Sequence, residues 1–208
     1  MHITPLPASN GSEGEFTIDD LVLFTDTGQL ATVHRMWSAI TKYSLMVDRT
    51  HAQALDGVRG FLAGAKPPTD ESALDDLALA HMEEQILSDS DSYLLKSLLF
   101  LSLVAFNEFA LKEVYKLFSP PERKPPAIGA VKFITEALTR LGVAKDVSTS
   151  YNEHFINHIE PVRNGFAHGD WAELGKALTT VDLAQSFLAV AGHFTAMGEP
   201  LRAKGLDV

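Results

Sequence analysis

Tyr93-Leu94-Leu95-Lys96-Ser97-Leu98-Leu99-Phe100-Leu101-Ser102-Leu103-Val104-Ala105-Phe106 opens a stretch that stays largely apolar to Phe118, and its reading decides the fold. It holds no glycine, no proline and no turn pair that would divide it into two strands, so it reads as one helix. It is apolar nearly all round, as a helix is when neighbours cover it on every side, which predicts the central helix of an all-α bundle. Its most apolar run, Leu98 to Phe106, is bracketed by Lys96 and by Asn107 and Glu108. That run falls short of the roughly 20 residues a membrane span needs.

Working outward toward the N-terminus, Leu30, Val33, Trp37, Ile40, Ser44 and Val47 recur at helical spacing. The pattern extends through Leu55, Val58 and Leu62, with Gly57 and Gly60 as weak points. Gly64-Ala65-Lys66-Pro67-Pro68 breaks it, and Thr69 is the expected cap of a following helix marked by Leu74, Leu77, His81 and Gln85. The polar run Ser88-Asp89-Ser90-Asp91-Ser92 reads as a linker carrying a cap for the central helix. Further upstream, Thr17 and Asp20 resemble a capping box for a short helix over Ile18 to Phe24. Residues 1–16, rich in proline, glycine and serine, read as a loose arm.

Toward the C-terminus, Pro120-Pro121 and Pro125-Pro126 predict a stiff connector. A helix is expected over Ala127 to Leu141, ended by Gly142. Another, capped by Ser148 or Ser150, is expected through Tyr151, Phe155 and Ile159 to Pro161, which kinks it or begins a new one. Thr180 is the expected cap of a last helix over Val181 to Met197. The organisation is therefore an N-terminal helical layer over residues 17–88 and a helical bundle over residues 90–205.

Composition narrows the function classes. The formal charge of −10 repels polyanions at long range, so any nucleic-acid contact has to be local and short. Absence of cysteine excludes disulfides, thiolate metal sites and a cysteine nucleophile. Met1 to Glu15 hold no basic segment followed by an apolar one, so no signal peptide or membrane partner is expected, and the expected location is the cytoplasm.

The residues best suited to chemistry lie in Arg163-Asn164-Gly165-Phe166-Ala167-His168. A histidine can pass protons to and from a ribose 2′-hydroxyl or a leaving oxygen near neutral pH. An arginine offers a planar fork of donors to phosphate oxygens as charge builds in the transition state. Pro161 and Gly165 allow the irregular helix that would let side chains five apart reach a common pocket.

Arg163-Asn164, three residues, then His168-Gly169 resembles the Arg-x(4–6)-His motif of the HEPN superfamily, and the long helix before it and the final helix fall where that family's up-and-down bundle would put them. The resemblance covers about residues 90–205. It implies a dimer whose two motifs line one cleft. It also implies cleavage of RNA without metal or cofactor, commonly leaving a 2′,3′-cyclic phosphate, and a toxin or phage-defence role, in some members beside an antitoxin partner. On that resemblance Arg163 stabilises phosphate, His168 does acid/base work, and Asn164 orients the phosphate or the histidine. Some toxin members carry a tyrosine two residues after the histidine; here Asp170 stands there, which argues against that branch. Other members have lost activity and keep the bundle for binding or regulation.

Two further residues are candidate supports. Glu108, in the otherwise apolar helix, would need a partner if buried, and Arg163 or His168 would serve. Trp171 follows the motif and can either stack on a base or pack between helices. His154 and His158 stand four apart, but the intervening residues lack the glutamate of zinc proteases, so they read as a helix face and not as a metal pair. Asp75-Asp76 with His81 to Glu84 reads as a solvated face, because it lacks the Glu-x-x-His pairs of di-iron bundles.

Overall fold

The computed structural model describes residues 23–119, 125–126, 129–144 and 149–208, and of residues 89–92 the backbone alone. Every regular element among them is helical and none is a strand, as an all-α bundle requires. In chain order these are α1 (Ala31–Gly64), α2 (Glu71–Gln85), α3 (Asp91–Lys116), α4 (Ala130–Arg140), α5 (Thr149–Tyr151), α6 (Asn157–His168), α7 (Trp171–Thr180) and α8 (Leu183–Ala203).

The central helix is confirmed, and it is longer than its apolar stretch. Ile86–Ser90 forms a π turn that joins α2 to α3 without a break, so Glu71–Lys116 is one continuous rod. The polar run over residues 88–92 is therefore helical, not a linker. One wide turn lets an extra residue pass while the backbone bonds continue, which local polarity alone does not reveal.

Against this rod α1 packs antiparallel. Trp37 meets Phe106 at 5.1 Å, the His51 ring donates to the Leu87 carbonyl at 3.0 Å, and Arg59 pairs with Glu84 at 3.1 Å. Gly57 and Gly60 do not interrupt α1.

The core sits where α1, α3 and α8 converge. Trp37, Phe106, Phe187 and Phe194 interlock there, with ring centroids 5.1 to 5.9 Å apart and tilted or edge-on geometry. Such pairs each add about 0.5–1.5 kcal/mol beyond their buried area. Val33, Trp37, Thr41 and Ser44 are the buried residues of α1, all in its first half. Beyond them no α1 side chain is fully buried: Asp48 and His51 border a cleft with α3 and the start of α8, His51 reaches the π turn at Leu87, and Arg59 reaches the end of α2.

Caps differ in detail from the sequence expectation. Asp70, not Thr69, accepts the Ala73 N–H at the start of α2, and Asp182, not Thr180, accepts the Gln185 N–H at the start of α8. In each case the carboxylate stands where its oxygen reaches the free donors of the first turn. Helix α4 begins at Ala130 after Gly129, whose φ of 72° is left-handed; the Ala127 and Ile128 part of the expected helix lies outside the described residues. So do the Thr17 and Ser148 caps and the expected arm. Leu23 and Phe24, the end of the expected first helix, are not helical. Lys96 reaches from α3 to donate to the Leu178 carbonyl at 2.6 Å, satisfying the C-terminal turn of α7. Partial burial lowers the pKa of this lysine while Asp182 opposes the shift.

The rod is also the one described helix long and apolar enough to cross a membrane. Half of that apolar window is buried inside the bundle, as befits a core helix, and the fold is compatible with a soluble protein.

Candidate functional site

Helix α6 carries the Arg163–His168 segment, and Pro161 lies inside it. Proline lacks the N–H that would bond residue 157 and its ring crowds the preceding turn, so an interior proline usually kinks or ends a helix. Here the backbone widens one turn earlier, into a π turn over Asn152–Ile156, and α6 then runs unbroken to His168. Gly169 ends it with φ 65°, its N–H bonded to the Phe166 carbonyl at 3.3 Å, while the Asp170 N–H bonds the Gly165 carbonyl at 3.0 Å. His168-Gly169 is thus a helix C-terminus. That geometry accounts for the glycine and leaves the histidine side chain free to face outward.

Asp170 then caps α7 by accepting the Glu173 N–H at 3.1 Å. The Asp170-x-x-Glu173 spacing was a legible start signal for a helix that the motif reading passed over.

Helices α6 and α7 form a close hairpin, and Gly165 is the reason it can be close. A Cβ there would lie 3.0 Å from both the backbone nitrogen and the Cα of Leu174. Glycine inside a helix costs about 1 kcal/mol relative to alanine, so the approach of α7 decides the residue. Gly165→Ala is expected to push α7 outward and to lower stability by about 1–3 kcal/mol despite alanine's better propensity. Urea midpoints of the two proteins check this; an unchanged or higher midpoint would show that the approach is not needed.

The motif side chains are exposed and do not converge within one chain. At about 100° per residue, His168 lies about 140° around α6 from Arg163, with the exposed Asn164 between them. Arg163 borders a cleft of about 880 Å³ shared with Glu108, Lys132, Asn152 and Glu160. His168 and Asn164 border a different cleft of about 480 Å³, between α6 and α7, with Asp170, Glu173 and Lys176. Pro161 and Gly165 thus do not bring Arg163 and His168 into a common pocket, because α6 remains regular between them. Among the described residues no ion pair engages Arg163, Glu160, His168 or Asp170.

Glu108 is not a buried carboxylate answered by the motif. It is partly exposed and pairs with Lys112 one turn on, at 2.5 Å, while opening into the cleft that Arg163 borders. Its neighbour Asn107 is the buried member, accepting the Tyr151 hydroxyl at 2.6 Å. Trp171 is 61% exposed at the first turn of α7, edge-on to Phe166 with centroids 6.4 Å apart. It is therefore largely open to solvent, three residues along the chain from His168. The π turn also breaks the simple register of His154 and His158, and no group of three metal-ligating side chains occurs among the described residues.

Lys176 and Glu173 are the site residues that sequence reasoning missed. They pair at 2.5 Å across one turn of α7, opposite Asn164 and His168. The cleft is therefore mixed in charge rather than basic. The chain matches no family model, no curated protein and no solved structure.

Proposed function

We propose that this chain is a metal-independent RNA endonuclease of the HEPN type, acting as a toxin or phage-defence effector. The observation that carries the reading is the state of its two principal side chains. Arg163 in the middle of α6 and His168 at its end are both exposed, and no ion pair among the described residues engages either. An exposed arginine and histidine that no carboxylate engages are available to a phosphate and to a proton in transit.

In the proposed reaction the ribose 2′-oxygen attacks the adjacent phosphorus. The P–O5′ bond breaks, and a 2′,3′-cyclic phosphate and a 5′-hydroxyl result. His168 moves the proton at the 2′-oxygen or at the leaving oxygen, Arg163 stabilises the equatorial oxygens, and Asn164 orients the phosphate. The separation of Arg163 and His168 around α6 fits a composite site, in which a second copy of the ridge supplies the opposing residues of a homodimer. Trp171 would stack on a base beside the cut. Glu108, already neutralised by Lys112, would bound the Arg163 side of the substrate path.

A second reading has its own support. Arg163 and His168 open into different clefts of one chain, which suits a non-catalytic HEPN-fold protein that binds a ligand or a regulatory partner. Incubating the purified protein with a pool of structured RNAs in excess EDTA separates the two. Cutting that survives EDTA and leaves cyclic phosphate ends supports the nuclease; intact RNA with a folded protein supports the binding role.

A further inference from the structure

We infer that the open face of the α1/α2–α3 hairpin is a docking surface for a second copy of this chain, laid so that α1 of one copy rests on the α2–α3 rod of the other. The inference is independent of the ribonuclease reading, since it uses neither α6 nor α7.

The first observation is a second apolar seam on α1. The inner seam contains Val33, Trp37 and Ser44 and faces the rod and α8. About 100° around the helix runs another, Met36-Ala39-Tyr43-Met46 and then, past Thr50, Ala54-Gly57-Phe61. Steps of three and four residues sustained over so many turns are the spacing of a coiled-coil seam. Every one of these residues is exposed, Tyr43 at 55% and Phe61 at 52%. Glycine and alanine in its outer half would let a facing helix come close.

The rod carries a matching stripe. Leu79, Ile86, Leu94 and Leu98 are all exposed, although they belong to the most apolar helix of the chain. Half of its membrane-like window finds no cover within the molecule. With α1 and the rod antiparallel, helical geometry turns both stripes to the same side of the hairpin, away from α8. Beyond the bundle the pair stands alone: from residue 52 to residue 79 no side chain is buried. Helices gain most of their stability from tertiary packing, so an uncovered two-helix arm of this length calls for another layer.

Size and charge select the occupant. Helix α1 is 34 residues long, about 51 Å at 1.5 Å per residue. A face two helices wide then offers on the order of 1,000 Å², against about 800 Å² per partner in a standard interface. Arg35, Lys42, Arg49 and Arg59 give α1 four basic residues against Asp48 and Asp56. Helix α2 carries Glu71, Asp75, Asp76, Glu83 and Glu84 with no lysine or arginine. A copy laid α1 on α1 and α2 on α2 would oppose like charges. Laid about a two-fold axis along the hairpin, which keeps the in-chain register, α1 of each copy runs along its partner's whole rod, where Glu71–Lys116 holds nine acidic residues against three lysines, in a closed isologous four-helix layer. The same acidic α2 would be repelled by an anionic lipid surface.

Light scattering and sedimentation of the full chain across micromolar concentrations test the surface. The expected result is a wild-type mass that halves in Tyr43→Glu/Phe61→Glu, with the helical circular dichroism kept and a lower melting point as the covering layer is lost, and that stays unaltered in His168→Ala. The absence of native cysteine allows a test of the arrangement. Mixed Tyr43→Cys and Leu98→Cys proteins should form the mixed disulfide in preference to the Tyr43→Cys homodisulfide. A wild-type mass of one chain, an equal mass in the glutamate variant, preferential Tyr43→Cys homodisulfide, or single chains binding to lipid vesicles through this face would each overturn the inference.

Discussion

His168→Ala is expected to slow RNA cleavage in EDTA by about 10²–10⁴-fold, the range for losing a positioned proton-transfer group. Arg163→Ala should cost about 10²–10³-fold, as for removal of one donor to developing charge. Neither change should alter stability by more than about 0.5 kcal/mol. Both side chains are exposed and lack ion pairs among the described residues, so their removal opens no cavity and strands no buried partner. This separation of activity from stability makes the experiment decisive. Single-turnover rates on one defined RNA, measured beside thermal melts, provide the comparison. Equal cutting by wild type and both variants would end the assignment, and a loss of cutting that merely tracked unfolding would do the same. If the site is composite, mixing the two inactive proteins should restore part of the rate, since one mixed cleft then holds an arginine and a histidine from different chains.

Acid is expected to remove about 3 kcal/mol of stability through His193 alone, at 1.36 kcal/mol per pH unit. This imidazole is 6% exposed, stacks on Tyr151 at 4.1 Å and meets the Phe194 ring at 5.5 Å. Its Nε2 has no hydrogen-bond partner among the described residues. Burial lowers its pKa from 6.5 to about 4. Above pH 6.5 the ring is neutral in both folded and unfolded chains and contributes no pH dependence. As pH falls from 6.5 toward 4 the unfolded chain takes up a proton that the folded one refuses, so stability declines through that window. Below about 4 the folded ring is protonated too, and this contribution levels off.

His193→Phe, which keeps a ring against Tyr151, should be less sensitive to pH over that interval. Urea midpoints at several pH values for the two proteins measure the difference, with the other histidines common to both. Parallel slopes would show that His193 is not held neutral. Tyr151 sits in the same buried group with its hydroxyl on Asn107, and burial raises its pKa.

Much of the fold was legible in the residue pattern, and the reason is local. The Val33, Trp37, Ile40, Ser44 stripe, the Pro67-Pro68 break and the Tyr93–Phe118 stretch each specify helix or interruption within a few turns. The resulting helices α1, α2 and α3 stand where expected. The misplaced features depend on neighbours farther away. Ser88–Ser92 is polar by composition yet helical, because one π turn lets α2 and α3 share a single axis against α1. Pro161 remains inside α6 because the preceding turn widens.

The site divides in the same way. The sequence by itself determined that an arginine and a histidine stand five apart before a glycine able to end a helix, and that the chain has no thiol chemistry. Only the tertiary structure decided the rest. Gly165 is glycine because the α7 backbone passes within contact of it. Glu108 turns to Lys112 and not to Arg163 because its side of α3 is partly open to solvent. Arg163 and His168 border separate clefts because α6 stays regular between them, and a regular helix carries positions five apart to different sides.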